Sequence, residues 1–474
     1  MEARAALPVA SPWDNPTRSY WQEPPDAIAD FRSPRFPSTA DVVVIGSGIT
    51  GAGVAWNLLR HEPHHGPPLA VVMLEARQAC SGATGRNGGH TKAASYRSFQ
   101  GHAKTLGVEA ACQMARLELA NIRAVHAFAA EHNMECESRP CQTVDVVYDN
   151  VQWKQAHEAV DAMRAAMPED DASRYRFVTP AQLQEEYHVD SQGPCGGVVY
   201  EAGSISAYKF TIGVLKLCLA KGLNLQTNTP ALAISKDPQA HDGYGWLVET
   251  SSGIIRTKKV VLATNGYTAY INTRFQSIIV PTRGQVTAQR PGGNMPPEGL
   301  PATYSFIYEN GFDYMIPKPP NTHHAGDIVI GGGLVMAPHE GREEYGSTDD
   351  ASLQPVISEY LLDTTPRYFG PGWGQDHVDG RVRREWTGIM GFSSDGLPFV
   401  GPMPGEEGVW VAAGFQGHGM VYCWMCAQAV ADMMMMRQGP SGDAPPWFPD
   451  SFLITQARLG QKFEGVTHTA TGAE

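Results

Sequence analysis

The segment that most constrains this fold is "DVVVIGSGITG" at residues 41–51, a strand-like apolar run with three glycines in G-x-G-x-x-G spacing. The following "AGVAWNLLRH" switches to helical spacing, and "LAVVMLEA" is the next buried strand, ending near Glu75. The glycines alone are also compatible with a turn that binds nothing. Because Glu75 stands where a carboxylate would bind an adenosine ribose, the context favours a dinucleotide-binding α/β unit.

Size and charge narrow the possible partners. The chain has 474 residues, which exceeds one ordinary hydrophobic core, so we expect two closely packed domains. Its 36 basic and 49 acidic residues give a net charge of −13, which argues against nucleic acid or an anionic membrane as a partner and favours a small-molecule substrate. The oligomeric state stays open.

The N-terminus "MEARAALPVASPW" lacks the regions of a signal peptide, the eight cysteines are sparse, and no run approaches 18 uncharged apolar residues. These features predict a soluble, cytoplasmic protein. Cys423 and Cys426 have redox-motif spacing, but both fall on the core-facing side of an apolar helix, and no metal site is predicted.

The order of patterns along the chain predicts its organisation. Residues 1–40 hold seven prolines among aromatic residues and are expected to form an arm over the body. Amphipathic helices are predicted at 103–132 and 150–167, and a buried strand, a glycine-rich turn and a helix that stops at Gly439-Pro440 near the end. The predicted domains are an arm (1–40), a cofactor domain (41–102 with 196–275 and 381–437), a substrate domain (103–195 with 276–380) and a tail (438–474).

A second glycine-rich segment, "SGATGRNGGHTK" at 81–92, begins six residues after Glu75. A nicotinamide cofactor would not require it, so a longer cofactor is indicated. Bare backbone would let such a cofactor lie flat against peptide N–H groups.

Three segments together, "DVVVIGSGITGAGVAW", "VVMLEARQACSGATGRNGGH" and "VWVAAGFQGHGM", resemble the D-amino-acid-oxidase-like family of FAD-dependent oxidoreductases. The likeness spans about residues 18–437 and is nearest to the gamma-glutamylputrescine oxidase type. It implies an α/β fold, with a discontinuous Rossmann-like FAD-binding domain and a mixed α+β substrate domain.

The same resemblance implies a set of FAD contacts. Residues 381–418 contain no cysteine, so the FAD is predicted to be non-covalent, with a link to His90 as the exception. The implied contacts are Gly46, Ser47, Gly48, Ile49, Thr50, Gly51, Glu75, Ala76, Arg77, Ser81, Gly82, Ala83, Thr84, Arg86, Asn87, Gly88, Gly89, Ala231, Ala263, Gly266, Gly414, Gln416, Gly417, Gly419 and Met420.

Candidate catalytic residues are His90, Tyr314 and His418, each with a structural alternative. Tyr314 also fits a core position in an alternating strand, and His418 also fits a helix cap. Arg283 and Trp386 are candidate substrate contacts. Arg86 suits either a substrate carboxylate or the cofactor.

The resemblance implies oxidation of the C–N bond of an amine or amino acid to an imine. A 2-hydroxy-acid dehydrogenase is the alternative within this fold, and a non-catalytic, flavin-stabilised assembly protein is the alternative from another class. The electron acceptor is dioxygen or another oxidant. Monomeric sarcosine oxidases of this family carry a lysine on the strand that "DIVIGGG" resembles, and this sequence has Val329 in its place. Slow reoxidation by oxygen is therefore expected unless Lys92, Lys318 or His90 supplies the positive charge beside the flavin.

Overall fold

The computed structural model describes residues 1–60, 68–436 and 444–465. Within these residues the backbone forms seventeen strands in two sheets. Numbered along the chain, the strands are β1 (Thr39–Ile45), β2 (Val71–Leu74), β3 (His90–Thr91), β4 (Arg139–Val147), β5 (Arg176–Val178), β6 (Gly196–Ser204), β7 (Asn224–Gln226), β8 (Ala231–His241), β9 (Tyr244–Thr250), β10 (Gly253–Leu262), β11 (Ile279–Gln289), β12 (Thr303–Ile307), β13 (Phe312–Pro317), β14 (Ile328–Gly331), β15 (Val382–Ser393), β16 (Phe399–Pro402) and β17 (Val409–Ala413).

The first sheet has the order β16-β17-β10-β1-β2-β7, with β8 and β9 attached through β10. Its five strands from β17 to β7 are parallel, and β16 is antiparallel at the edge. Ile45 is in register with Leu74 on one side and with Leu262 on the other. The carboxyl ends of β1, β2 and β10 therefore meet at one edge, where open α/β sheets bind ligands.

The second sheet has the order β15-β11-β14-β13-β12-β4-β6-β3, and β5 pairs with β6. Its neighbours are antiparallel except for the parallel pair β4 and β12. Strands β6 and β15 lie in segments predicted for the cofactor domain, yet they hydrogen bond in this second sheet. These segments therefore pass between the sheets, and the domain boundaries stay a prediction.

Helix α2 carries the packing of the first sheet and lies against α7 and α11. At Gly53 of α2, a Cβ would approach the Cβ of Ala427 to 2.8 Å, so the two helices are close-packed. The helices of the described residues are α1 (Glu2–Ala5), α2 (Ile49–Leu59), α3 (Ser95–Leu106), α4 (Val108–Glu131), α5 (Asn150–Ala166), α6 (Pro180–Tyr187), α7 (Ala207–Ala220), α8 (Thr268–Ile271), α9 (Pro355–Leu362), α10 (Thr364–Phe369), α11 (Cys423–Met436) and α12 (Gln456–Leu459).

The predicted helical regions correspond to observed helices with shifted ends. The region 103–132 contains the end of α3 and all of α4, because the chain breaks at Gly107, whose φ of +93° no helix accommodates. The predicted stop at Gly439-Pro440 lies outside the described residues. The N-terminal arm is mostly irregular, as its prolines predict, apart from α1 and a 3₁₀ turn at Tyr20–Gln22.

Candidate active site

One continuous cavity of about 620 Å³ lies where the two sheets meet. Its first end is lined by the loops that follow β1 and β2, including Gly46 and Glu75, and by Ala231 and Ala263. Its second end is lined by residues of α3, α4 and β13, including Arg97 and Tyr314. We call these the nucleotide end and the outer end.

The first glycine motif has the geometry that the sequence predicts. Gly46 has a φ of +107°, and a Cβ there would lie 2.5 Å from the carbonyl oxygen of Ala263. A Cβ at Gly51 would lie 1.9 Å from the carbonyl oxygen of Gly46, so only glycine lets α2 approach the strand. Gly51 supports the site through this packing and is not among the residues that line the cavity.

Glu75 lies at the nucleotide end, where its carboxylate is held by local donors. It accepts hydrogen bonds from the backbone N–H of Ser47 at 3.1 Å and from its hydroxyl at 2.6 Å. The other oxygen accepts from the N–H of Arg77 at 3.0 Å. These bonds fix the carboxylate beside the start of α2, and it lines the cavity.

Most glycines of the second loop have a packing role in addition to the cofactor contact that the sequence predicts. A Cβ at Gly82 would meet nothing within 4 Å, so this glycine is open. In contrast, a Cβ would lie 2.4 Å from Gln22 Nε2 at Gly85, 2.4 Å from the Tyr314 ring at Gly88, and 2.5 Å from a carbonyl oxygen at Gly89. Most of the bare backbone therefore makes room for neighbouring protein, in addition to any cofactor.

Two arginines near the loop share one buried carboxylate. The guanidinium of Arg77 donates to both oxygens of Asp350, at 3.1 and 2.9 Å. The Arg86 guanidinium lies 3.6 Å from Asp350 and also donates to the carbonyl oxygens of Thr17 and Thr387. Both arginines line the cavity, but their side-chain donors are used within the protein.

The C-terminal glycine turn is anchored by Asn265. Its Oδ1 accepts hydrogen bonds from the N–H groups of Gly414 at 3.1 Å and Phe415 at 3.2 Å. Gln416 follows with a φ of +55°, and its buried Oε1 has no hydrogen-bond partner in the described residues. Gln416 itself lines the cavity, and its amide nitrogen donates to the hydroxyl of Ser393.

At the outer end, Arg97 of α3 lies over the ring of Phe312, 5.2 Å from its centroid. Its guanidinium is half-buried and has no carboxylate partner within the described chain. Lys92, by comparison, donates to Asp145 at 2.5 Å and to Ser305 at 2.6 Å. Arg97 is thus the lining cation whose charge is left uncompensated.

Three histidines line this part of the cavity and are held neutral at pH 7. Burial lowers the pKa of His90 well below its usual range, and Lys92 adds to this effect. Burial lowers the pKa of His102 to about 4. The pKa of His418, whose ring is exposed towards the cavity, is also lowered by desolvation. These rings can accept or donate hydrogen bonds but do not supply positive charge.

Glu118 of α4 is a buried acid that lines the same cavity. Its carboxylate accepts hydrogen bonds from the hydroxyls of Ser95 and Tyr422 and has no cation partner in the described residues. Burial raises its pKa to about 7. A carboxyl with this pKa can exchange a proton near neutral pH.

The structure separates the sequence-predicted site residues into two groups. His90, Tyr314 and His418 all line the cavity. The predicted cofactor contacts that line it are Gly46, Ser47, Gly48, Ile49, Thr50, Glu75, Ala76, Arg77, Gly82, Ala83, Thr84, Arg86, Asn87, Gly88, Ala231, Ala263, Gln416, Gly417, Gly419 and Met420; those that do not line it are Gly51, Ser81, Gly89, Gly266 and Gly414.

Both predicted substrate contacts lie outside the lining. Arg283 is paired with Glu344 at 2.5 Å and Asp349 at 3.1 Å, so its positive charge is compensated within the protein. Trp386 is fully buried and donates its indole N–H to the carbonyl oxygen of Arg86 at 2.7 Å. Its contact is with the second glycine loop.

The residues named for the oxygen reaction are also divided. Val329 is completely buried in the core and is not among the residues that line the cavity. Lys318 pairs with Glu137 at 2.8 Å beneath the arm, away from the cavity lining. Only Lys92 and His90 remain beside the cavity.

Sequence reasoning missed Arg97, His102 and Glu118. A usable signal was present for α3, because its polar residues directly follow the glycine loop and must stay near it. Glu118 gave no such signal, since an acid in an amphipathic helix is normally solvated. Cys423 and Cys426 are buried in α11, where burial raises the pKa of Cys423 to about 12, and no group of three metal-binding side chains is found in the described residues.

A parallel sheet with a glycine fingerprint, a second glycine loop and one cavity shared with a mixed sheet are the features of a dinucleotide-binding α/β protein. The chain belongs to the DAO family of FAD-dependent oxidoreductases, whose model matches residues 41–433. It is an enzyme, and its cofactor is FAD. No helix in the described ranges is both long and apolar enough to cross a bilayer.

Relatives support the same assignment at low identity. A probable oxidoreductase OrdL of Rhizobium meliloti is 25% identical over 400 residues, covering 84% of this chain and 83% of that protein. Gamma-glutamylputrescine oxidoreductase of Escherichia coli is 20% identical, covering 88% and 89%. The crystal structure of glycine oxidase from Geobacillus kaustophilus superposes with a TM-score of 0.67 at 18% identity, covering 88% and 99%, which shows the fold.

The residues present fit FAD. The glycine turn and the start of α2 suit the pyrophosphate, and Glu75 suits the ribose. In the second loop, the N–H groups of Asn87 and Gly88 have no acceptor among the described residues, and both residues line the cavity. When bound, FAD supplies the acceptor for a hydride equivalent. The protein's own residues bind and orient the cofactor.

Proposed function

We propose that the enzyme oxidises the C–N bond of an amine that carries a carboxylate, such as an amino acid, to an imine. Arg97 carries this proposal. A half-buried guanidinium without an anion partner loses solvation, and its cation–π contact with Phe312 leaves its N–H donors and its charge unpaired. A substrate carboxylate would supply that partner, through the bidentate geometry that guanidinium groups favour.

The other charges at the outer end support the same substrate. An amine must be neutral before it can lose a hydride equivalent, and the positive charge of Arg97 disfavours its ammonium form. Glu118, with a pKa raised to about 7 by burial, is suited to accept the proton that the amine releases. Water then hydrolyses the imine to ammonia or an amine and a carbonyl compound.

Two relatives, a glycine oxidase and a gamma-glutamylputrescine oxidoreductase, are named for nitrogen-containing substrates, which agrees with this proposal. A 2-hydroxy acid also carries a carboxylate that Arg97 would bind, so binding alone does not separate the two chemistries. The product separates them, because only C–N oxidation releases ammonia or an amine.

The test is anaerobic bleaching of the flavin with matched compounds: glycine and alanine, the amines that lack their carboxylate, and the corresponding 2-hydroxy acids. We expect the amino acids to bleach the flavin and to release ammonia. Arg97→Gln should lower kcat/KM for them roughly 10- to 100-fold, as expected for a lost charge-assisted hydrogen bond, and Arg97→Lys should restore part of it. Arg116→Gln, an exposed arginine on α4, is the control and should have no effect.

Bleaching by the hydroxy acids alone would contradict the proposed reaction. Equal bleaching by amines with and without a carboxylate, unchanged in Arg97→Gln, would retain amine oxidation but remove the role of Arg97. If no compound of the panel bleaches the flavin, both the proposed amine oxidation and the role of Arg97 are contradicted.

For the electron acceptor, we propose that dioxygen reacts slowly and that another small oxidant can replace it. The support is Lys92, the lining lysine, whose ammonium is neutralised by Asp145 at 2.5 Å. A neutralised cation stabilises superoxide less than a free one. Stopped-flow mixing of reduced enzyme with air-saturated buffer measures this rate, and reoxidation as fast as in efficient oxidases would contradict the proposal.

A further inference from the structure

The second glycine loop is held by donors that lie outside the cavity. The carbonyl oxygen of Gly85 accepts a hydrogen bond from the hydroxyl of Ser19 at 2.6 Å. That of Arg86 accepts from the indole N–H of Trp386 at 2.7 Å, and that of Asn87 accepts from the indole N–H of Trp21 at 2.6 Å. The carbonyl oxygen of Gly85 also accepts from the amide of Gln22 at 3.3 Å. Three consecutive carbonyls are therefore bonded to side chains, and three of these four side chains belong to the N-terminal arm.

These bonds determine where the neighbouring N–H groups point. In a trans peptide the C=O and the following N–H point in opposite directions within one plane. Fixing the carbonyl of Arg86 therefore aims the N–H of Asn87 away from Trp386, and fixing the carbonyl of Asn87 aims the N–H of Gly88 away from Trp21. In the described residues these two N–H groups have no protein acceptor, and both residues line the cavity.

The arm packs against this loop without a gap. A Cβ at Gly85 would lie 2.4 Å from Gln22, and one at Gly89 would lie 3.3 Å from the ring of Trp21. Tyr20 stacks on Trp386 at 6.2 Å and donates to Asp327 at 2.9 Å, which ties the arm to the second sheet.

We propose that Trp21 and Ser19 of the arm, together with Trp386 of β15, are positioning residues for FAD. Trp386 and Trp21 hold two successive peptide planes so that the N–H groups of Asn87 and Gly88 face the cofactor. Ser19 anchors the preceding plane, whose own N–H, that of Arg86, donates to the carbonyl oxygen of Ala83 at 3.1 Å. Trp21 and Ser19 lie before residue 41, where the match to the family model begins. The inference concerns the cofactor and does not depend on the proposed substrate.

The test compares full-length variants that each lose one buried donor. Trp21→Phe and Ser19→Ala remove donors to the loop and retain most of the packing. Trp373→Phe is the matched control, because its buried indole donates to Asp376 at 2.8 Å in the second sheet's core, away from the loop. The dissociation constant of FAD is measured from flavin fluorescence on dilution of the holoenzyme, together with the visible absorption bands and the thermal midpoint of the apoprotein.

We expect Trp21→Phe and Ser19→Ala to raise the FAD dissociation constant roughly 3- to 10-fold, with shifted flavin bands, because a net hydrogen bond is worth about that factor. Trp373→Phe should lower the apoprotein midpoint by a similar amount as the loop variants and leave the dissociation constant within about twofold. Unchanged FAD affinity in both loop variants would overturn the proposal. An equal rise in Trp373→Phe would overturn it as well, since it would trace the effect to general destabilisation.

Discussion

The two ends of the cavity treat charge in opposite ways. At the nucleotide end, Arg77 and Arg86 share the buried carboxylate of Asp350, and Glu75 is surrounded by donors. At the outer end, Arg97 has no anion and Glu118 has no cation in the part of the chain that the structure describes. The first end is complete as a protein structure and presents mainly backbone to its ligand. The second end presents side-chain charges without protein partners, which a ligand can pair with.

This contrast separates what each end contributes. Internally paired charges hold a loop rigid and leave specificity to shape and peptide N–H groups. Unpaired charges cost folding energy, and a bound substrate of the opposite charge recovers it. Substitutions should therefore affect stability and cofactor retention at the nucleotide end, and substrate selectivity and pH dependence at the outer end.

The largest effect is expected for Asp350→Ala, because it leaves two buried guanidinium groups without their carboxylate. Breaking a buried ion pair typically costs about 3 to 5 kcal/mol of unfolding free energy. Denaturant unfolding measures this loss, and FAD retention should fall with it. The control Asp161→Ala removes an exposed partner of Arg164 and should cost about 1 kcal/mol or less. A similar small loss in Asp350→Ala would show that the buried network does not hold the nucleotide end together.

An intermediate effect is expected for Glu118→Gln. Burial raises the pKa of Glu118 from 4.5 to about 7, so the folded state binds its proton more tightly than the unfolded chain. This acid therefore makes stability fall as the pH rises from about 4.5 to about 7, by up to roughly 3 kcal/mol. Unfolding measured across this pH window should show a smaller fall in Glu118→Gln.

Glu131→Gln, an exposed position on the same helix, should leave the pH profile unchanged. The pH dependence of kcat/KM should also lose a limb near pH 7 in Glu118→Gln only. Identical profiles in the wild type and Glu118→Gln would mean that this acid does not titrate in the window.

The smallest effect on catalysis is expected for Arg283→Gln. Its guanidinium is bonded to Glu344 and Asp349 and does not line the cavity, so kcat/KM should change by less than about twofold. Comparing the loss of kcat/KM in this variant with the loss in Arg97→Gln shows how much an unpaired arginine contributes to catalysis relative to a paired one. A tenfold or larger loss in steady-state assays of Arg283→Gln, with normal FAD content, would place this residue in contact with the substrate.

Much of the nucleotide end was predictable, because its determinants are local. Gly46 and Gly51 are required by one turn and one helix approach, and the apolar runs around them can form only buried parallel strands. The family resemblance in the same segments correctly predicted FAD. The glycines of the second loop were recognised, but their reason was incomplete, since Gly85, Gly88 and Gly89 are glycine because arm, strand and loop approach closely.

The outer end could not be predicted in the same way. From the sequence, Arg283 and Arg86 are the candidates for a substrate carboxylate, and Arg97 is not singled out by any motif. Which of them is free depends on Glu344 and Asp349, which lie more than sixty residues away from Arg283 in the chain. Pairing across such separations has no periodicity that a single sequence reveals.

The sequence by itself determined the parallel sheet, the glycine fingerprint, the cofactor class and an arm that is too rich in proline for regular structure. These follow from short-range rules: apolar periodicity, the φ freedom of glycine and the fixed φ of proline. Only the tertiary structure decided which charges are spent within the protein and which remain in the cavity, and that Trp21 of the arm bonds to Asn87. The physical reason is that a charge or a peptide group becomes available to a ligand only when distant chain segments leave it without a partner.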